Sequence, residues 1–141
     1  MSGRRARGWM AWAAVALATA CGGSPTSVDV GQIEGRWAWR SASGGIVGRT
    51  ITPQTEGYTM ELRVADDEVA LYRNGALQTT ARYRLALGRQ GGSFAGKDVV
   101  IFTPALFGWE EMGLQLSVEG ELILVDGCCD GYAYSWVRAS P

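Results

Sequence analysis

The sequence predicts an all-β domain in which eight antiparallel strands, taken in chain order, close into an up-and-down barrel. Three observations carry this prediction. Apolar and polar residues alternate with period two over short runs, the pattern of a strand with one buried face. Gly, Asn, Asp and Pro punctuate these runs at regular intervals, and no run keeps a helical period. Strands arranged as sequential hairpins leave two open edges, which invite aggregation, and closure removes both.

The first strand is expected over Ile33–Ser41, with Trp37 and Trp39 on one face and Arg36, Ala38 and Arg40 on the other. A long connection, Ser43–Gly57, follows and carries Gly44, Gly45, Gly48 and Pro53. Tyr58–Val64 places Tyr58, Met60, Leu62 and Val64 on one side. Asp66-Asp67 turns the chain into Val69–Arg73, and Asn74-Gly75 turns it again. Asn-Gly between apolar runs is a strong hairpin signal because both residues tolerate positive φ. In Ala76–Leu87 the residues Leu77, Thr79, Ala81, Tyr83, Leu85 and Leu87 share a face. Gly88–Lys97 reads as a mobile Gly-rich loop, and Val99–Thr103 as a short strand ended by Pro104. Phe107–Glu111 reads as a loop, and Leu114–Val118 as a strand turned by Glu119-Gly120-Glu121. Leu122–Asp126, the turn Gly127–Gly131 and Tyr132–Arg138 complete the eight. An eight-stranded barrel either fills its interior with side chains or shares it with one small ligand.

Upstream of this domain the chain reads as a leader and a tether. Arg4, Arg5 and Arg7 form a basic n-region, Gly8–Ala20 is an uncharged apolar run, and small residues precede Cys21. Such a run is too short to cross about 30 Å of hydrocarbon, so it reads as an export signal, residues 1–20, rather than a membrane helix. Residues 21–32 are rich in Gly, Ser, Pro and Thr and read as a flexible tether, and residues 33–138 as the barrel domain. Removing the leader leaves 121 of the 141 residues, with 10 basic against 14 acidic side chains. This acidic balance offers no basic footprint for nucleic acid. The chain contains no His, which removes His-based triads and His-ligated zinc.

A cysteine directly after the small residues of such a leader resembles the lipobox of bacterial lipoproteins. The resemblance implies acylation of Cys21, cleavage just before it and, with Gly22 rather than Asp in the next position, sorting to the outer membrane. The domain itself resembles the short lipocalin-like lipoproteins of bacteria. The residues that carry this are Gly35-Arg36-Trp37, Gly44-Gly45-Ile46 with Thr52-Pro53, and Tyr72-Arg73-Asn74-Gly75. The closing run Leu122-x-Leu124-x-Asp126-x-Cys128-Cys129-Asp130-Gly131-Tyr132-x-Tyr134, with Arg138 beyond it, completes the set. The family implies a lipocalin-like barrel closed at one end by Gly35, Trp37 and Arg138, with the Arg side chain packed across the Trp ring. It implies non-covalent binding of a small apolar ligand. A protein-binding or envelope structural module with a filled core is the alternative.

The remaining chemistry-bearing residues are few. Tyr132, Tyr134 and Trp136 share a face of the last strand and form either a ligand wall or part of a filled core. Phe107 and Trp109 would line a mouth, meet a partner or fold under the barrel. Cys128 and Cys129 are adjacent, and Cα atoms about 3.8 Å apart lie below the usual range of about 4.4–6.8 Å for a disulfide. A strained ring, a bond to another molecule or buried thiols are the options, and buried or partly buried thiols are expected. Asp126 and Asp130 read as turn residues accepting backbone N–H groups rather than as metal ligands. Glu110-Glu111 reads as solvated surface. Gly88–Gly96 lacks the Gly-Lys-Ser/Thr ending of a phosphate loop. No catalytic set, metal site or cofactor is expected. The expected partners are a membrane, through the lipid, and either a small apolar ligand or an envelope protein.

Overall fold

The structure, a computed structural model, describes residues 26–140. The expected leader, Cys21 and the first residues of the tether lie outside the described residues. Nine strands form: β1 (Gly35–Gly44), β2 (Arg49–Ile51), β3 (Met60–Ala65), β4 (Glu68–Arg73), β5 (Ala76–Leu87), β6 (Asp98–Leu106), β7 (Trp109–Leu116), β8 (Leu122–Val125) and β9 (Tyr132–Arg138). Eight of them pair in the order β1-β3-β4-β5-β6-β7-β8-β9, and β9 returns to β1, so the antiparallel sheet closes into the expected barrel. The ninth, β2, was expected only as part of a connection. It pairs with Ala42–Gly44 of β1, on the edge that β3 uses lower down. Two short helices, α1 (Val30–Ile33) and α2 (Pro53–Glu56), complete the fold. Pro53 starts α2, Thr52 caps it through its hydroxyl, and Gly57 ends it at φ +72°.

Bulges decide which side chains enter the barrel. Trp39 opposes Trp136 and Ser41 opposes Ser135, so Arg40 is an extra residue on β1. The inward set therefore runs Trp37, Trp39, Ala42, all buried. A second bulge lies at Gln78, between the pairs Leu71–Thr79 and Tyr72–Leu77. It reverses the face of Leu77, which alternation placed inside and which is 55% exposed. β6 passes through Pro104 and reaches Leu106, three residues longer at its far end than Pro104 suggested, with the extra residues taken up between the Ile101 and Leu106 pairs.

The interior is filled. Trp37, Leu62, Leu106, Met112 and Trp136 are essentially inaccessible to solvent. Each fully buried apolar side chain contributes roughly 1.5–3 kcal/mol. The void left inside holds about 20 Å³, among Leu62, Val64, Val100, Phe102, Leu114 and Leu124. Its walls are wholly apolar, so it has the size of a single water but no partners to hold one.

One end, the base, is closed by the N-terminal segment. Ile33 is buried there, and its carbonyl accepts a hydrogen bond of 2.7 Å from Trp37 Nε1. The Arg138 guanidinium lies 4.0 Å from the Trp37 ring centroid and donates to the carbonyls of Gln32 (2.6 Å) and Glu34. Gly35 makes the crossing possible, since its φ is +121° and a Cβ there would collide with the Arg138 guanidinium. The stretch read as a tether is docked from Ser27 onward. Asp98, 8% exposed at the start of β6, accepts from the backbone N–H groups of Ser27 and Val28, and Val28 is buried.

The loop 88–97, expected to be mobile, is tied to the outside of the barrel. Gly88 N–H donates to Lys97 O (2.8 Å) and Gly96 N–H to Gly88 O (3.1 Å). The Phe94 ring packs on Gly113, where a Cβ would come within 2.6 Å of it, and reaches Gly127 at ordinary contact distance, while Ser93 Oγ donates to Gly127 O. On another part of the outer wall Glu61 bridges β1 and β3, accepting from Arg36 (2.9 and 3.1 Å) and Arg63 (2.6 Å). Hydrogen bonds from Arg36 first, then from Arg63, hold the Glu61 carboxyl down to about 2.

Two outcomes test this description. Gly35→Ala should destabilise the protein well beyond Gly57→Ala, where φ is also positive but a Cβ meets nothing within 4 Å. Thermal melts of both variants decide it, and equal losses would remove the steric role of Arg138. The second concerns pH. The Glu61 carboxyl is depressed in the fold from about 4.3 when unfolded, so its contribution is complete above that value and fades as pH falls toward 2. Glu61→Gln should therefore lower stability most at neutral pH, by a modest amount because exposed pairs are weak, and its urea stability should converge on the parent's as pH falls from about 5 to 2, which shallows the acid limb. An acid limb identical to the parent's would show that this clasp is not linked to folding.

Candidate functional site

The other end of the barrel, the mouth, is built from aromatic side chains of several strands. It lies where β1, β6 and β8 finish and where β3, β7 and β9 begin. The β6–β7 connection is a two-residue turn, Phe107-Gly108, between the paired residues Leu106 and Trp109. Both turn residues have positive φ, +54° and +81°, the signature of a type I′ hairpin turn. Glycine accepts this at no cost, but a bulky residue in the left-handed region loses about 1–2 kcal/mol.

Phe107 is held there by what its ring touches. It stacks on Tyr134 at 5.5 Å between centroids, 10° from parallel, and leans on Trp136 at 5.9 Å. Tyr132 continues the row at 6.3 Å from Tyr134. On the neighbouring strand Trp39 stacks on Tyr58 at 5.6 Å, and the Arg73 guanidinium lies over the Tyr58 ring at 3.7 Å from its centroid. Trp109 is half-buried against the same core. The mouth is thus capped by one aromatic side chain, Phe107, lying across the row Tyr132, Tyr134, Trp136. Burial, and then the neighbouring charge of Asp126, pushes the Tyr134 hydroxyl above its ordinary range.

Among the buried rings next to the mouth two polar atoms lack partners. Trp39 Nε1 and Trp136 Nε1 are buried with no acceptor among the described residues. The two residues are register partners across β1 and β9 and share the inner face. Leaving a buried donor unpaired costs about 1–3 kcal/mol. Trp37, at the closed base, shows the contrast, since its indole N–H is satisfied by Ile33 O.

The sequence candidates therefore fall into separate places. Gly35, Trp37 and Arg138 meet at the base. Phe107, Trp109, Tyr132, Tyr134 and Trp136 meet at the mouth. Trp39, Tyr58 and Arg73 belong to the mouth too but were not singled out. The signal available for Trp39 was its shared face with Trp37. Tyr58 and Arg73 come together only through the β3–β4 register, which pairs Met60 with Arg73. Cys128 and Cys129, expected to be buried or partly buried, are both exposed, because the turn after β8 stands clear of the barrel. Asp126 does serve that turn, accepting from Tyr132 N–H (2.9 Å) and Cys128 N–H (3.4 Å). Among the described residues no three His, Cys, Asp or Glu side chains gather as metal ligands.

The fold defines a closed, eight-stranded, antiparallel up-and-down barrel with a plugged base and an aromatic mouth. Comparison with protein-family models, with curated proteins and with solved structures gives no match.

Phe107→Gly tests the cap directly. Acrylamide quenching of tryptophan fluorescence should rise as Trp136 is uncovered. The loss of stability should stay below that of Phe102→Ala, about 3–5 kcal/mol for a buried Phe, because the left-handed strain is relieved. Unchanged quenching would mean that Phe107 does not shield Trp136.

Proposed function

We propose that this protein is an exported lipoprotein, held to the outer membrane by acyl chains on Cys21, whose lipocalin-like barrel binds a small, ring-bearing apolar ligand at its mouth. The leader pattern and Cys21 support the anchor. Several acyl chains, each worth about 0.8 kcal/mol per buried CH₂, hold such a graft firmly. One observation carries the ligand reading: two buried indole donors without acceptors, Trp39 and Trp136, face each other across β1 and β9, and the second lies against the Phe107 ring of a strained turn. A flat ligand replaces the Phe107 ring on Tyr134 and Trp136, and an acceptor oxygen on it satisfies an indole N–H. The filled interior argues against storage of a ligand within the barrel, so the site is the mouth alone. No step of this function needs a catalytic group or a cofactor.

A second reading, a protein-binding envelope module, is favoured by the same filled interior and by Ile46 and Val47. Both stand 86% exposed in the turn between β1 and β2, where nothing among the described residues covers them.

Native mass spectrometry of the protein taken from its own membrane separates the two, since a co-purifying small mass supports the ligand reading and a second polypeptide supports the module. Titration with an anilinonaphthalene sulfonate, which carries both rings and acceptor oxygens, tests the site. Binding should be one-to-one. Trp136→Phe, which keeps a ring but removes the donor, should weaken it about fivefold to tenfold, the worth of about 1–1.4 kcal/mol. Val118→Ser, fully exposed in the turn between β7 and β8 at the opposite end of the barrel, should leave it unchanged. No binding, or equal binding to all three proteins, overturns the mouth site.

A further inference from the structure

We propose that Cys128 and Cys129 form a two-thiolate site for a soft, thiophilic metal ion of the Cu(I) type. Adjacent side chains ordinarily point apart. Here the turn between β8 and β9 folds them to the same side, with the two Sγ atoms 3.8 Å apart and both residues exposed. The turn is braced from within. Asp126, 8% exposed, accepts from the N–H groups of Cys128 and Tyr132, and Gly131 N–H donates to Cys128 O at 3.0 Å. A Cβ on Gly131 would drive into the Asp126 carboxylate, so the brace also dictates a glycine.

The geometry favours a bridge through one atom over a bond between the sulfurs. Direct closure would have to span a Cα pair only about 3.8 Å apart, below the range of unstrained disulfides. A single atom about 2.3 Å from each sulfur, the length of a typical metal–thiolate bond, sees the pair at roughly 110° with no movement of the turn. The donor set then selects the ion. Both donors are soft, which favours Cu(I) over hard cations. Both Asp126 oxygens are engaged by backbone N–H groups, the chain has no His, and no third protein ligand gathers among the described residues. That excludes a zinc site built from four protein ligands and leaves an ion content with two or three soft donors. Binding converts two thiols and Cu(I) into a copper dithiolate and releases two protons to solvent, with no change of oxidation state. Affinity therefore rises with pH.

The test uses the full chain carrying Cys21→Ser, so that only the pair supplies thiols, after reduction and under anaerobic conditions. Cu(I) is supplied as its bicinchoninate complex, whose colour reports transfer. One copper per chain should move to the protein. Cys128→Ser and Cys129→Ser should each weaken capture by more than the about 10–100-fold that loss of an outer-shell partner costs. Circular dichroism and thermal melts should match the parent, because both side chains are exposed. Copper retained by the chelator, capture unchanged in either single variant, or a ring disulfide that resists reduction would each overturn the proposal.

Discussion

The ladder between β1 and β9 is the constraint on which the rest of the structure depends. It runs from Trp37–Arg138 at the base to Gly44–Tyr132 at the mouth, joining the two ends of the domain. Every other barrel pairing is between strands consecutive in the chain or separated only by β2 and α2, and short loops close those at low entropic cost. The β1–β9 pairing must instead close a loop of the whole domain, and only the burial it completes compensates. Each end of the ladder carries its own lock. Arg138 covers Trp37 and reaches past Gly35 to the Gln32 and Glu34 carbonyls. At the opposite end Gly44 lies so close to the Gly131 backbone that no side chain fits between them.

The same ladder creates the asymmetry between base and mouth. It sets Trp39 directly opposite Trp136, and the bulge at Arg40 follows immediately. On the base side of this pair the Trp37 N–H is bonded to Ile33 O. At the pair itself both indole N–H groups are orphaned, and on its mouth side aromatic rings stack on one another. Stacking is worth about 0.5–1.5 kcal/mol per pair beyond burial, which offsets but does not replace a missing hydrogen bond. The mouth is therefore the part of the core whose polar requirements are unmet by the described residues.

Much of the barrel was legible in the sequence because it follows from period-two alternation and from turns with chemical signatures. Asn74-Gly75 shows both, with φ of +48° and +78° in residues that tolerate them. What alternation cannot reveal is a bulge, since an extra residue reverses every side chain beyond it without leaving a mark in composition. Leu77 sits outside for that reason. Polar composition misled in the opposite direction at residues 27–32 and 88–97. Backbone hydrogen bonding to Asp98 holds the first segment, and the Phe94 ring on Gly113 holds the second. Neither contact has a local signature, because each joins residues far apart in the chain. The exposed cysteine pair was missed because adjacency says nothing about the direction a turn imposes.

Phe107-Gly108 and Asn74-Gly75 both pair positive φ values across two turn residues, and the comparison between them isolates what is unusual about the mouth. At Asn74 the conformation is one that Asn adopts readily, and its side chain accepts from Thr59 N–H at 2.9 Å, which ties the β4–β5 turn to the segment leading into β3. Phe107 has neither that conformational ease nor a hydrogen-bonding side chain. Asn or Gly in its place would satisfy the turn with less strain, so the hairpin does not explain the residue. The ring does, through its contacts with Tyr134 and Trp136. The strain is thus local while the compensation is tertiary. A cap of that kind is favourable only while its ring occupies the aromatic row. Any molecule that stacks there equally well, and offers an oxygen to the indoles below, competes with a side chain already carrying a conformational penalty.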